Sequence, residues 1–154
     1  MIINYLITNV NAKREDVITP DMQVGVAHNV SITNIEKDEK FKILKFTFKF
    51  DAVFSGSESK ELGKIVIEGV VVYTGGEIEK IYDQWAEDKK METPVAEEIF
   101  QASLNIGILE AMSIAKQMQL PSLLPLPKVS ATSNPQEESK DDEHRHEKKS
   151  NKPK

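Results

Sequence analysis

From Leu44 to Phe54 apolar and polar residues alternate strictly. Leu44, Phe46, Phe48, Phe50, Ala52 and Phe54 share one face, and Lys45, Thr47, Lys49 and Asp51 take the other. A period of two marks a half-buried strand and admits no helix. Upstream, Met22, Val24, Val26, Val30 and Ile32 alternate with Gln23, Gly25, Ala27, Asn29, Ser31 and Thr33, ending at the polar turn Glu36-Lys37-Asp38-Glu39. This predicts a hairpin with the phenylalanine strand. Downstream, Ser55-Gly56-Ser57-Glu58-Ser59 predicts a second turn, into a strand from Leu62 to Tyr73 with Ile65, Ile67, Val71 and Tyr73 on one face. The first ten residues alternate less decisively, as Ile3, Tyr5, Ile7 or as Leu6, Thr8, Val10, and predict an edge strand. The connection through Asp16 to Asp21 contains Pro20.

Beyond Gly75-Gly76 the period becomes helical. Ile78, Ile81, Tyr82 and Trp85 recur at i, i+3, i+4 and i+7, with Glu77 and Glu79 at the start and Lys89 and Lys90 at the end, as the helix dipole favours. A second helix is expected from Thr93 as N-cap, with Pro94 in its first turn, to Pro121. Its roughly 26 residues span about 39 Å at 1.5 Å per residue, more than one four-stranded sheet requires. It carries two apolar stripes. One runs through Phe100, Leu104, Ile108, Ala111, Ala115 and Met118, the other through Val95, Ile99, Ala102, Ile106 and Leu109. Together they are too wide for a helix with one wet face. The chain leaves through Leu123, Leu124 and Leu126 between prolines. The expectation is an α+β fold: a four-stranded antiparallel sheet, then a short and a long C-terminal helix.

The 154 residues (17.4 kDa) suffice for one domain. Composition breaks after Val129, because residues 130–154 hold one apolar side chain, Ala131. The domain is therefore expected over 1–129, and 130–154 as a disordered charged tail. That tail carries six acids and six bases, so the chain's net charge of −5 belongs to the domain. An acidic domain is a poor partner for nucleic acid. Without Cys there is no disulfide, thiolate metal site or thiol nucleophile. No apolar run of about 18 residues or signal-peptide pattern occurs, so a cytoplasmic protein with no membrane insertion is expected.

Motifs that carry chemistry are sparse. There is no G-x-S-x-G, phosphate loop, dinucleotide fingerprint or H-E-x-x-H motif. His28, the one histidine before the tail, falls on a strand's apolar face and reads as a core or interface side chain. His144 and His146 in the tail read as part of a solvated charge run. Glu77 and Glu79 repel an anion from the Gly75-Gly76 junction, and Trp85 packs in phase with Ile78 and Ile81. No catalytic residue, metal or cofactor is assigned. The surplus is apolar: Val66, Val70 and Val72 make the second face of the last strand apolar too, interrupted by Lys64 and Glu68. Such surfaces point to another subunit or a client.

Two stretches carry a family resemblance. They are Ile67-Glu68-Gly69-Val70-Val71-Val72-Tyr73-Thr74-Gly75, and Leu104-Asn105-Ile106-Gly107-Ile108-Leu109-Glu110-Ala111 running into Leu120-Pro121-Ser122-Leu123-Leu124-Pro125-Leu126-Pro127. With the order of elements, they resemble SecB, the cytosolic chaperone that keeps preproteins unfolded for export, and especially its divergent archaeal SecB-like relatives. The resemblance covers about residues 1–129. It implies a dimer of dimers with helices between sheets, and an outer sheet face that meets the translocation motor SecA. The family's Leu-x-Glu pair there resembles Val66-Ile67-Glu68. Its acidic motor-contact residues have no match in Asn9 to Asp16, so the motor as partner stays open. Some SecB-like proteins instead hold the antitoxin of a toxin–antitoxin system.

The expected function is an ATP-independent holdase for unfolded proteins or preproteins, not an enzyme. It assembles as a homo-oligomer, a tetramer by the family pattern, through Phe100, Leu104, Ile108 and Ala111. Client contact is expected at Tyr73, Trp85, Leu123, Leu124 and Leu126, and partner docking at Val66 and Glu68. The alternative is a carrier enclosing a small apolar ligand among Phe46, Phe48, Phe50, Phe54 and Trp85.

Overall fold

The computed structural model describes residues 1–15 and 17–124. Four strands, β1 (Ile2–Arg14), β2 (Gly25–Asp38), β3 (Ile43–Ser55) and β4 (Glu61–Tyr73), precede two helices, α1 (Ile78–Asp88) and α2 (Thr93–Gln117). The strands form one antiparallel sheet in the order β1-β4-β3-β2. The phenylalanine strand and its valine-rich neighbour therefore lie in the middle. The boundary expected at Val129 and the tail lie outside the described residues.

One face of the sheet is the core. On β3 Leu44, Phe46, Phe48, Phe50, Ala52 and Phe54 are all fully buried, opposite Tyr73, Val71, Gly69, Ile67, Ile65 and Gly63 of β4. Gly69 has a packing reason: a Cβ there would stand 2.7 Å from the Phe48 ring and 2.6 Å from the Leu6 carbonyl oxygen. Aliphatic and aromatic side chains of this size contribute about 1.5–3 kcal/mol each when buried.

The edge strands are less regular. In β2 the register steps from Ile32, opposite Phe48, to Asn34, opposite Thr47, so Thr33 is a bulge. The bulge flips the alternation and brings Ile35 into the core opposite Phe46. β1 shifts register twice, between Ile2 and Asn4 and between Ile7 and Asn9, which explains its ambiguous pattern.

α2 packs on β4, β3 and β2 and touches β1 at both ends. The Ile2 N–H donates to Glu98 Oε1 at 3.1 Å, and Arg14 Nη1 donates to the Met118 carbonyl at 2.7 Å. The helix starts one residue earlier than its N-cap expectation: Glu92 is the cap, its carbonyl accepting the Ala96 N–H, and Thr93 and Pro94 lie in the first turn. It ends in a Schellman turn, with Gln119 left-handed (φ 55°), Gln119 N–H on the Lys116 carbonyl and Leu120 N–H on the Ala115 carbonyl. α1 lies over β2 and β3. Burial of Ile78 and Ile81, and Lys37 Nζ bonded to Glu79 at 2.7 Å, hold it there.

Candidate functional site

The side of α2 that meets the sheet is lined with small residues. Ile99, Ser103, Gly107, Ala111 and Ala115 are its buried positions, one ridge at i+4 spacing. A Cβ on Gly107 would stand 2.4 Å from Phe50, so the helix backbone rests almost directly on the phenyl ring. This splits the expected interface stripe. Ala111 belongs to the chain's own core and cannot serve as an oligomer contact, because the ridge that lets α2 approach β3 runs through it. Phe100 is exposed, and Leu104 and Ile108 are half-buried on the flank of the helix. Leu109 stands outermost, 68% exposed. From Ile99 to Ala115 the only ionic side chain is Glu110.

Beside this flank lies an open cleft of about 480 Å³, lined by Val30 of β2 and Glu97, Phe100, Gln101 and Leu104 of α2. Sequence reasoning placed Phe100 and Leu104 on an outer surface but missed their partnership with Val30. His28, one inward step along β2, is exposed at the sheet edge, its ring edge-on to Phe50 at 6.0 Å between centroids. It is therefore not a core side chain.

The expected client surface does not form as a unit. Tyr73 and Leu123 are each only 8% exposed and belong to the core, so they are not free to contact a client. Burial pushes the Tyr73 phenol above its ordinary range, with Glu98 and Glu77 adding to the effect. Trp85 is half-buried on α1 with Lys89 Nζ 5.5 Å from its ring centre, and Leu124 is exposed. Leu126 lies outside the described residues. Tyr73 closes β4, whereas Leu120, just before Leu123, packs near Gly63 at its start. Ten residues of strand, roughly 33 Å, separate the two groups.

Val66 and Glu68 do share the sheet face turned away from the helices, both half-buried. Glu68 Oε2 accepts the Asn9 amide at 3.0 Å and stands opposite Lys49. Val70 and Val72 continue the strip, with the exposed Leu6 opposite Val70. β1 was undervalued in the sequence: Ile3, Tyr5, Leu6 and Val10 are all exposed. The available signal was the absence of any charge from Ile2 to Ala12. Among the described residues no cluster of His, Asp or Glu could hold a metal ion, and no helix is long and apolar enough to cross a membrane.

No family model matches the chain, and no curated protein matches it in sequence. Its fold is similar to that of the Mycobacterium tuberculosis Rv1957 SecB-like chaperone, solved in complex with a ChAD peptide from the Rv1956 HigA1 antitoxin. The TM-score is 0.60 at 11% identity, over 86% of this chain and 92% of the other. The fold is thus SecB-like, a four-stranded antiparallel sheet followed by two helices.

Proposed function

We propose that the chain is a molecular chaperone, an ATP-independent holdase that binds unfolded polypeptide. The observation that carries this reading is the inverted packing of α2. Beyond Ile99 the helix presents small side chains to its own sheet, with Phe100 and Leu109 exposed and Leu104 and Ile108 half-buried on its flank. Burial of such surface by client or subunit is worth about 25 cal/mol per Å² and makes few demands on sequence. The cleft of Val30, Phe100 and Leu104 is the part best shaped to take a client side chain. Leu124 and Trp85 remain as outlying contacts.

On this reading the protein is a cytoplasmic homo-oligomer, a tetramer, with Phe100, Leu104 and Ile108 at a subunit or client contact. Val66 and Glu68 form a docking patch on the outer sheet face, and the tail of 130–154 is an appendage to the folded domain. Two client classes fit: preproteins bound for export, as for SecB, and an antitoxin. The second is favoured by the solved neighbour, whose partner is an antitoxin peptide. The enclosed-carrier alternative is disfavoured because α2 lies against Phe50 too closely to leave a ligand space there.

The test is light scattering of a denatured client diluted with and without the full chain at stoichiometric amounts, in the absence of nucleotide. Aggregation should be suppressed. Failure with several unrelated clients would remove the holdase reading.

A further inference from the structure

We infer that the basic end of the chain, residues 144–154, docks on the outward side of α1 and the start of α2 in the same copy, where it screens the mouth of the Val30–Phe100–Leu104 cleft. The contact stands apart from client binding, and its screening role rests on the holdase reading above. Charge is partitioned along this chain. Residues 77–98 hold eight acids against Lys80, Lys89 and Lys90, a net −5, while residues 1–76 and 99–129 together sum to zero. Residues 144–154 hold Arg145 and four lysines against Glu147, a net +4. An acidic surface and a basic chain end of nearly equal charge thus belong to one molecule.

The fold leaves the acids on an uncovered helix face. Glu79, Asp83 and Glu87 are exposed and stand one turn apart along α1, whose other side packs on the sheet. Like charges at this spacing repel and weaken the helix unless a cation lies beside them. Glu79 has Lys37 at 2.7 Å, but Asp83 and Glu87 make no ion pair among the described residues. The Lys80–Glu92 ion pair ties the start of α1 to the cap of α2. From there the acidic side continues to Glu97, exposed, likewise without an ion pair, and part of the cleft wall beside Phe100 and Leu104. A cation drawn to Glu97 therefore stands at the cleft.

Reach permits the contact. Leu120, four residues before the last described residue, packs by Gly63 at the start of β4. The acidic side lies at the other end of the sheet, where Lys37, in register with Leu44 and through it with Tyr73, holds Glu79. That separation is about 33 Å of strand. The twenty residues from Leu124 to His144 can bridge up to about 70 Å. Tethering presents the basic end at an effective concentration of about millimolar, so a few weak ion pairs hold it. Its rival occupant is the neighbouring stretch 137–143, of net charge −4. Pairing there must order both partners, whereas the carboxylates of α1 are already fixed on a helix.

The test is carbodiimide coupling of the full-length chain at low salt, on a mixture of isotopically heavy and light copies, with crosslinks mapped by mass spectrometry. Lys148, Lys149, Lys152 and Lys154 should join Asp83, Glu87 and Glu97 within one copy, in preference to Glu58 and Glu61, which are exposed at the end of the sheet where the chain exits. The crosslinks should fade at about 0.5 M salt, where screening shortens to about 4 Å. Asp83→Lys with Glu87→Lys should remove them. The docking is overturned if the lysines couple as readily to Glu58 and Glu61, if heavy–light crosslinks predominate, or if residues 137–143 take them instead. Lys148→Glu with Lys149→Glu should tighten binding of an unfolded client several-fold at low salt and leave it unchanged at 0.5 M. Unaltered affinity in a chain that holds clients overturns the screening role. The predicted crosslinks in a wild type that holds no client sink only the holdase.

Discussion

α1 and α2 solve the same problem, covering a sheet, in opposite ways. α1 is conventionally amphipathic: Ile78 and Ile81 are buried, Tyr82 and Trp85 half-buried, and Glu79, Lys80, Asp83 and Glu87 face water. Its apolar face is satisfied within the chain. α2 buries Ile99 and then the small Ser103, Gly107, Ala111 and Ala115, and carries larger apolar side chains on its flanks and back. Its packing beyond Ile99 gains close approach rather than bulk, and Phe100 and Leu109 stay exposed while Leu104 and Ile108 are only partly covered. A helix that spends small residues on its own core and keeps large ones outside is built to meet something else.

Volume added under α2 should break that contrast most severely. Gly107→Val places new carbons where Phe50 already stands, so the unfolding free energy should fall by at least about 3 kcal/mol in denaturant titration, in the upper part of the range for overpacking. Removal of bulk should then distinguish the helices. Ile81→Ala on α1 should cost about 2–4 kcal/mol, as for other buried aliphatic truncations. Leu109→Ala on α2 should stay within about 0.5 kcal/mol for the folded domain. Sedimentation should give the reverse ranking, with Ile108→Asp dissociating the assembly by placing an unpaired charge in the contact and Ile81→Ala leaving its mass alone.

A smaller effect sharpens the reading of the ridge. The Ser103 hydroxyl is fully buried and makes no hydrogen bond among the described residues. Ser103→Ala should raise stability by about 1 kcal/mol, through the removed polar group and better helix propensity. The smallest effect belongs to α1. Its link to β2 is Lys37, whose ammonium is held above its ordinary range by hydrogen bonds to Glu79 and Glu39. A raised lysine stabilises fully below its unfolded pKa, about 10.4, and loses that contribution as pH rises through the folded value. The thermal midpoint should therefore carry this pair's contribution without pH dependence around neutrality and lose it only in strong alkali. Lys37→Met should flatten that alkaline limb.

The central strands were legible because burial alternates without a break from Leu44 to Phe54 and from Ile65 to Tyr73, and in β3 the sequence alternates with it. The edges were harder for a physical reason. Bulges at the Ile32–Asn34 step and twice along β1 reset the phase, and a period-two reading has no memory across a reset. α2 was legible as a long helix with too much apolar surface, but its inner side was not. Hydrophobic patterning follows large side chains, whereas close approach to Phe50 demanded small ones, so Ala111 was assigned outward. The client site suffered from distance. Tyr73 and Leu123 look available in sequence, yet each packs into the core, Tyr73 at the end of β4 and Leu123 just after Leu120, which lies near Gly63 at its start.

The most direct test of the central claim, that α2 keeps its large apolar side chains for other polypeptides, is native mass spectrometry of the full chain alone and with a reduced, permanently unfolded client. The account predicts a tetramer of the 17.4 kDa chain that shifts upward by the mass of bound client, and a variant with Phe100 and Leu104 both changed to Ser that no longer shifts. A wild-type monomer whose mass ignores the client would contradict it.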